Sequence, residues 1–239
     1  MIKGSPFYYR AGTSDTWIML EVLMREGSKA EYWLPEDRQA PNHVLDIGGN
    51  IGCTAVYFAN RYPAATIHSF EPDPSNFELL SLNTAPHSNI KIYNMALGNK
   101  EGIMNLGSTQ DSINHGAKTL VSNRHQGAVS SVVQVRDAKS FLEQIGVESA
   151  EIVKIDTEGF EYPILQSLAP VISKSHWIVG ELHDQRDFSA LALFENTHSI
   201  GIVRGVGQVF SPFFACRRDT LGSLAECERK ALLGRFSPK

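Results

Sequence analysis

From His43 onward, short apolar runs alternate with segments whose apolar positions recur at helical spacing. The runs 43–48, 65–72 and 90–97 predict strands. Residues 51–61 and Pro74 to Asn83 predict the helices between them, with Pro74 suited to a first turn. This order predicts parallel pairing and right-handed crossovers. Residues 98–131, rich in Gly, Ser, Asn and His, then predict a long loop or lid with one short strand at 102–107. The alternation resumes with a strand at 131–135, a capped helix at 137–146, a strand at 151–156, a helix at 163–173 and a strand at 176–183. A helix is expected at 187–199. Residues 202–210 and 213–219 predict an antiparallel pair turning at Ser211 and Pro212. The chain reads as one α/β domain over residues 1–239. Residues 1–40 form an N-terminal extension with a helix from Asp15 to Arg25 and a short strand from Glu31 to Leu34, and a last helix is expected at 221–233.

Composition narrows the partners. A formal net charge of −4 argues against binding driven by nucleic-acid phosphates. Arg217, Arg218, Arg229, Lys230 and Arg235 read as solvated faces. Cys53, Cys216 and Cys227 lack metal-ligand spacing, and Cys53 reads as a small core residue. No run reaches the roughly 18 apolar residues of a membrane span, and no leader is evident. The expectation is a reduced, cytoplasmic protein with no nucleic-acid partner, its oligomeric state open.

Candidate chemistry gathers where the strands end, the edge at which open parallel sheets bind ligands. The first strand runs into Asp46-Ile47-Gly48-Gly49-Asn50-Ile51-Gly52, a turn that lets backbone approach a ligand at a helix N-terminus. A dinucleotide fingerprint counted from Gly48 would need glycines where Asn50 and Cys53 stand. Asp46 would repel a pyrophosphate but suits the ammonium of a methionine moiety. Glu71, 25 positions later and before Pro72, suits two ribose hydroxyls. Ala96 and Leu97 can line an adenine or simply pack. S-adenosyl-L-methionine fits this set.

The segment at 151–161 places Asp156, Glu158 and Glu161 with Lys154 at the same edge, and 176–183 adds Glu181 and His183. Methyl transfer to a hydroxyl needs alignment and a proton acceptor. His183 qualifies by intrinsic pKa, and Asp156 or Glu158 by desolvation. Asp156, Glu158, His183 and Asp184 match no metal motif, so no metal is expected. An NAD-dependent oxidoreductase and a non-catalytic binding module remain the alternatives.

The segments VLDIGGNIGCTAVYFA (44–59), SFEPDPSNFELLSLN (69–83), NMALGN (94–99), KIDTEGFEYPILQSL (154–168) and GELH (180–183) resemble the FkbM family of methyltransferases. The resemblance implies a Rossmann-like class I methyltransferase fold. This is a three-layer sandwich around a mostly parallel seven-stranded sheet whose last strand is antiparallel. It also implies S-adenosyl-L-methionine as donor and O-methylation of a sugar-containing or other small natural-product acceptor, a small molecule or glycan. Asp46, Gly48, Asn50, Gly52 and Glu71 match the cofactor motifs, and Asp156, Glu158 and Glu161 the second signature. Gly49 lies within the first motif. Where the family often has Leu-Asp before a helix, this chain has Arg136-Asp137, and Asp137 reads as a helix cap.

Overall fold

The computed structural model describes residues 4–35, 40–108, 118–121, 129–183, 185–202 and 211–235. Helix α1 (Asp15–Met19) passes into a π-helical turn at Leu20–Met24. Then follow β1 (His43–Ile47), α2 (Cys53–Arg61), β2 (Thr66–Phe70), α3 (Pro74–Thr84) and β3 (Ile90–Tyr93). Four short strands come next: β4 (Ala96–Gly98), β5 (Gly102–Ser108), β6 (Lys118–Val121) and β7 (Val129–Asp137). After these come α4 (Ala138–Gln144), β8 (Ile152–Ile155), α5 (Glu161–Ser167), α6 (Ala169–Ile172) and β9 (Trp177–Leu182). The chain closes with α7 (Gln185–Ser189), β10 (His198–Ile202), β11 (Ser211–Arg217), α8 (Arg218–Ser223) and α9 (Glu226–Arg235).

Seven strands form the main sheet in the order β10-β11-β9-β8-β1-β2-β3. β1, β2, β3, β8 and β9 pair in parallel, and β11 runs antiparallel to both neighbours. Period-two alternation sends successive side chains into two cores. Leu45, Ile47, Val153, Ile155 and Ile178 join one core with Phe141, Ile164 and Leu165 of α4 and α5. Val44, Ile67, Ile152, Trp177 and Val179 join the other with Phe58 of α2 and Val22, Tyr32 and Leu34 of the N-terminal segment. Buried Cys53 belongs to this second core. The result is the expected three-layer sandwich with an antiparallel last strand. Chain order reverses direction across the sheet at β1 and β8, so their ends mark the switch point.

Several elements depart from the sequence expectation. The run 90–97 is two strands in two sheets. Asn94 breaks it by donating from its side chain to the carbonyls of Glu71 (2.9 Å) and Pro72 (3.3 Å). β4 then joins a second sheet, ordered β4-β7-β5-β6. β5 covers the short strand expected at 102–107, and β6 and the start of β7 are further strands within the expected loop 98–131, of which 109–117 and 122–128 lie outside the described residues. Glu31–Leu34 is not a strand: Tyr32 and Leu34 are buried by packing on the second core. The helix at 187–199 ends early, in a 3-10 turn at Ala190–Leu193, and His198 opens β10. Most of the strand expected at 202–210 falls outside the described residues, and β11 pairs instead with 198–202. Ser211 and Pro212 lie in β11 rather than a turn. Pro212 stands in register with Glu181 of β9, and among the described residues β10 pairing ends at Phe213. The helix expected at 221–233 is divided between α8 and α9. Asp137 caps α4 as expected, accepting from the Ser140 N–H at 2.9 Å. No helix among the described residues is long and apolar enough to cross a membrane.

Candidate active site

β1 ends in a turn that closes on itself through backbone approach. Gly48 has φ +86°, and a Cβ there would meet the Asp156 carbonyl oxygen at 1.8 Å. A Cβ on Gly49 would meet Ser69 Oγ at 2.3 Å. Asn50 takes a left-handed φ of +47°, uncommon outside glycine, and its Oδ1 is buried without a hydrogen-bond partner among the described residues. Gly52, at φ +94°, starts α2.

Beneath the turn, three strands contribute one polar row. Ser69, Asp46 and Lys154 are register partners on β2, β1 and β8, all buried. Ser69 Oγ donates to Asp46 Oδ2 at 2.6 Å, and Lys154 Nζ lies 3.5 Å from Asp46 Oδ1. Lys154 also donates to the Gly48 carbonyl at 2.6 Å. Burial works against the lysine's charge, but Asp46 and Asp156 outweigh it and raise its pKa. Asp46 is thus committed to the lysine under the turn and does not line the cavity above.

That cavity measures about 430 Å³. Gly48, Gly49 and Asn50 form one side, Glu71 and Pro72 the next, and Met95, Ala96 and Leu97 an apolar patch. Glu71 Oε2 accepts the Asn50 N–H and Oε1 the Asp73 N–H, both at 2.8 Å. Burial nevertheless lifts its pKa to about 7. Each oxygen keeps a lone pair for a hydroxyl. Gly52 lies behind the wall, as Asp46 does.

The opposite end is acidic. Asp156, Glu158 and Glu181 line the cavity there with Glu31 and Tyr32, whose hydroxyl donates to Asp156 Oδ2 at 3.3 Å. His183 stands behind them among four carboxylates. Its Nδ1 lies 3.2 Å from Glu161 Oε1; its Nε2 is 3.3 Å from Glu158, 3.6 Å from Glu181 and 3.9 Å from Asp156. Burial opposes a charged ring, but the hydrogen bond and charge of Glu161, with Asp156 and Glu158, raise His183 to about 9. Glu158 sits at φ +56°, strained for this residue type. Burial first, then Asp156, lift its pKa to about 7. Burial and Asp156 also raise Glu181, to about 9.

Glu161, fully buried, organises this end. Oε1 accepts the Thr157 N–H (2.7 Å) and Thr157 hydroxyl (3.0 Å), and Oε2 accepts the Gly159 N–H (3.0 Å). Donor atoms of Asp156, Glu161 and His183 lie within 4.8 Å of one another, close enough for a metal ion. Asp184 lies outside the described residues. The sequence placed Asp156, Glu158 and His183 at one edge, and the structure brings them together. It adds Glu31 and Tyr32 from the N-terminal segment. Nothing in their local sequence signals a site, because they arrive by packing, with Tyr32 meeting Asp156 across 124 positions.

Residues 46–210 match the family described as Methyltransferase FkbM domain. "Methyltransferase sdnD" of Sordaria araneosa is 26% identical over 163 residues, covering 56% of this chain and 61% of that protein. "2-O-methyltransferase NoeI" of Sinorhizobium fredii is 25% identical over 59% of this chain and 63% of that protein. "Hexuronic acid methyltransferase AglP" of Haloferax volcanii is 23% identical, over 66% and 64% respectively. The chain thus spans somewhat under two thirds of the length of these relatives. Among solved structures, Aeropyrum pernix fibrillarin with bound S-adenosyl-L-methionine superposes with a TM-score of 0.47 at 12% identity, covering 90% of this chain and 84% of that one. With more than half of its length matched, the chain belongs to the FkbM methyltransferase domain family.

Proposed function

We propose that this protein is an S-adenosyl-L-methionine-dependent O-methyltransferase acting on a hydroxyl of a sugar-containing or other small natural-product acceptor. The observation that carries the reading is one cavity with a glycine cradle and a fixed Glu71 at one end and paired carboxylates at the other. The residues fit the cofactor. The cradle has no room for a Cβ at Gly48 or Gly49, Asn50 Oδ1 lacks a partner, and Glu71 offers two lone pairs to ribose hydroxyls. Ala96, Leu97 and Pro72 border the space for the adenine. Asp46 acts one layer down, fixing the Gly48 carbonyl through Lys154.

When bound, the cofactor supplies an electrophilic methyl on sulfur. Asp156 would orient the acceptor hydroxyl, and Glu158 would take the proton that this hydroxyl gives up. A carboxylate with a pKa near working pH suits this transfer. His183, charged, keeps Glu158 placed. Two family relatives carry names of sugar or 2-O-methylation, which supports a hydroxyl acceptor. Titration calorimetry with S-adenosylhomocysteine tests the reading. Saturable binding is expected; no heat at millimolar ligand, or saturable NADH binding in its place, overturns it.

A further inference from the structure

Asp187 belongs to none of the motif segments, yet it is buried next to His183. Its Oδ1 accepts the Tyr162 N–H at 3.1 Å, and its Oδ2 accepts the His183 N–H at 3.2 Å. One carboxyl group on α7 thus ties the first turn of α5 to the residue that follows β9. The same side chain is hydrogen-bonded to that of Glu161, the buried carboxyl group beside Nδ1 of the His183 ring. Arg186, its chain neighbour, is exposed and stands over the Tyr162 ring at 5.8 Å.

Two carboxyl groups form a hydrogen bond only if one of them holds a proton, because an ionised carboxylate accepts and never donates. The surroundings give the charge to Glu161. Both of its oxygens accept backbone N–H groups, from Thr157 at 2.7 Å and Gly159 at 3.0 Å, and Oε1 also meets the Thr157 hydroxyl and His183 Nδ1. The backbone N–H groups on Asp187 are farther away. Hydrogen bonds to a carboxylate favour its charged form, so the more tightly bonded group ionises. The crowding of charge agrees. Asp156, Glu158, Glu161 and Glu181 already stand 3.2 to 3.9 Å from the His183 ring, and Tyr32 adds a hydroxyl on Asp156. A fifth buried anion would meet repulsion from its neighbours.

We propose that Asp187 is a carboxylic acid that keeps its proton at neutral pH, donates it in a hydrogen bond to Glu161, and so acts as a positioning residue for the His183 ring. It clamps two backbone segments without adding a charge, and it leaves Glu161 as the anion beside Nδ1. The chemical use, holding Glu158 in place through that ring, rests on the methyltransferase reading above. The proton on Asp187 does not.

The test uses NMR of the full chain with a chelator present, so that no cation stands among Asp156, Glu161 and His183. The Asp187 carboxyl carbon, assigned through its own Cβ and amide, is expected at the position of a protonated acid at neutral pH. The His183 ring is then titrated in the unaltered protein, in Asp187→Asn and in Asp187→Ala. Asparagine puts a neutral group in place of a neutral group, so the His183 midpoint should stay within about half a pH unit. Alanine removes the donor from Glu161 and leaves more of its charge for the ring, so the midpoint should rise by about half a unit or more. An ionised Asp187 would itself support the imidazolium, and both substitutions would then lower the midpoint by about 1–3 units. The inference is overturned by a carboxyl carbon at the ionised position, by a lowered midpoint in either variant, or by an Asp187→Ala protein whose midpoint does not move. The carbon measurement needs no variant, so it decides even where a substitution prevents folding. Failure to bind S-adenosylhomocysteine, with the Asp187 carbon at the acid position, would instead fault the methyltransferase reading alone.

Discussion

Replacing Lys154 with Met removes the cation that faces the Asp46 carboxylate across β1 and β8. At 3.5 Å and an effective dielectric constant of about 20, the attraction between these charges is about 5 kcal/mol. Both groups are buried, so desolvation offsets much of that sum, and the intact pair adds little net stability. Removing one partner is different, because the other stays buried and unpaired. Lys154→Met is expected to cost about 3–5 kcal/mol, which lowers Tm by about 6–20 °C in a chain of this size. Asp46→Asn should cost a similar amount. The double variant should recover to within about 1–2 kcal/mol of the original, the remainder reflecting the Gly48 carbonyl that Lys154 no longer meets. Urea unfolding followed by circular dichroism measures all four proteins. S-adenosylhomocysteine affinity in the double variant should stay depressed even where stability returns, since the turn has lost its tether. A Lys154→Met protein within about 1 kcal/mol of the original, or a double variant no more stable than either single one, would refute the pairing argument.

Methyl transfer should rise with pH through about 7, as Glu158 ionises, and fall through about 9, as His183 loses its proton. Glu158→Gln should abolish the acidic limb and lower kcat by roughly 10²–10⁴; an unchanged limb would show that another group accepts the proton. Gly48→Ala forces a Cβ against the Asp156 carbonyl at a left-handed φ. It should lose about 1–3 kcal/mol of stability and most S-adenosylhomocysteine binding, as read by thermal unfolding and calorimetry.

The parallel core was readable because its signal is local. His43–Ile47, Thr66–Phe70 and Ile152–Ile155 are apolar runs that end in turn residues, and Asp73 caps the helix that follows the second of them. The second sheet was only partly readable. Lys118–Val121 is too short to show a period, and the division after Tyr93 depends on an Asn94 side chain reaching back to Glu71 and Pro72. At the site, residue type and strand position located Asp156, Glu158 and His183 together. Their protonation was not legible, because it depends on how many carboxylates packing brings around one ring. The sequence left the base open among His183, Asp156 and Glu158; the case for His183 rested on its unperturbed pKa, which Glu161 and its neighbours displace. Asp46 carried the right signal for the turn, but whether it touches a ligand depends on Lys154 lying in register beside it.

The docking of the N-terminal segment sets an order of assembly. Tyr8 pairs with Asn83, 75 positions later, and Tyr32 meets Asp156, 124 positions later. Earlier residues thus rest on a helix and on a strand end synthesised later, and loop closure of that length must be paid before the contacts reward it. On the ribosome, the roof of the pocket waits for β8 to emerge, and a nascent chain halted before that point carries Tyr32 with no carboxylate to meet.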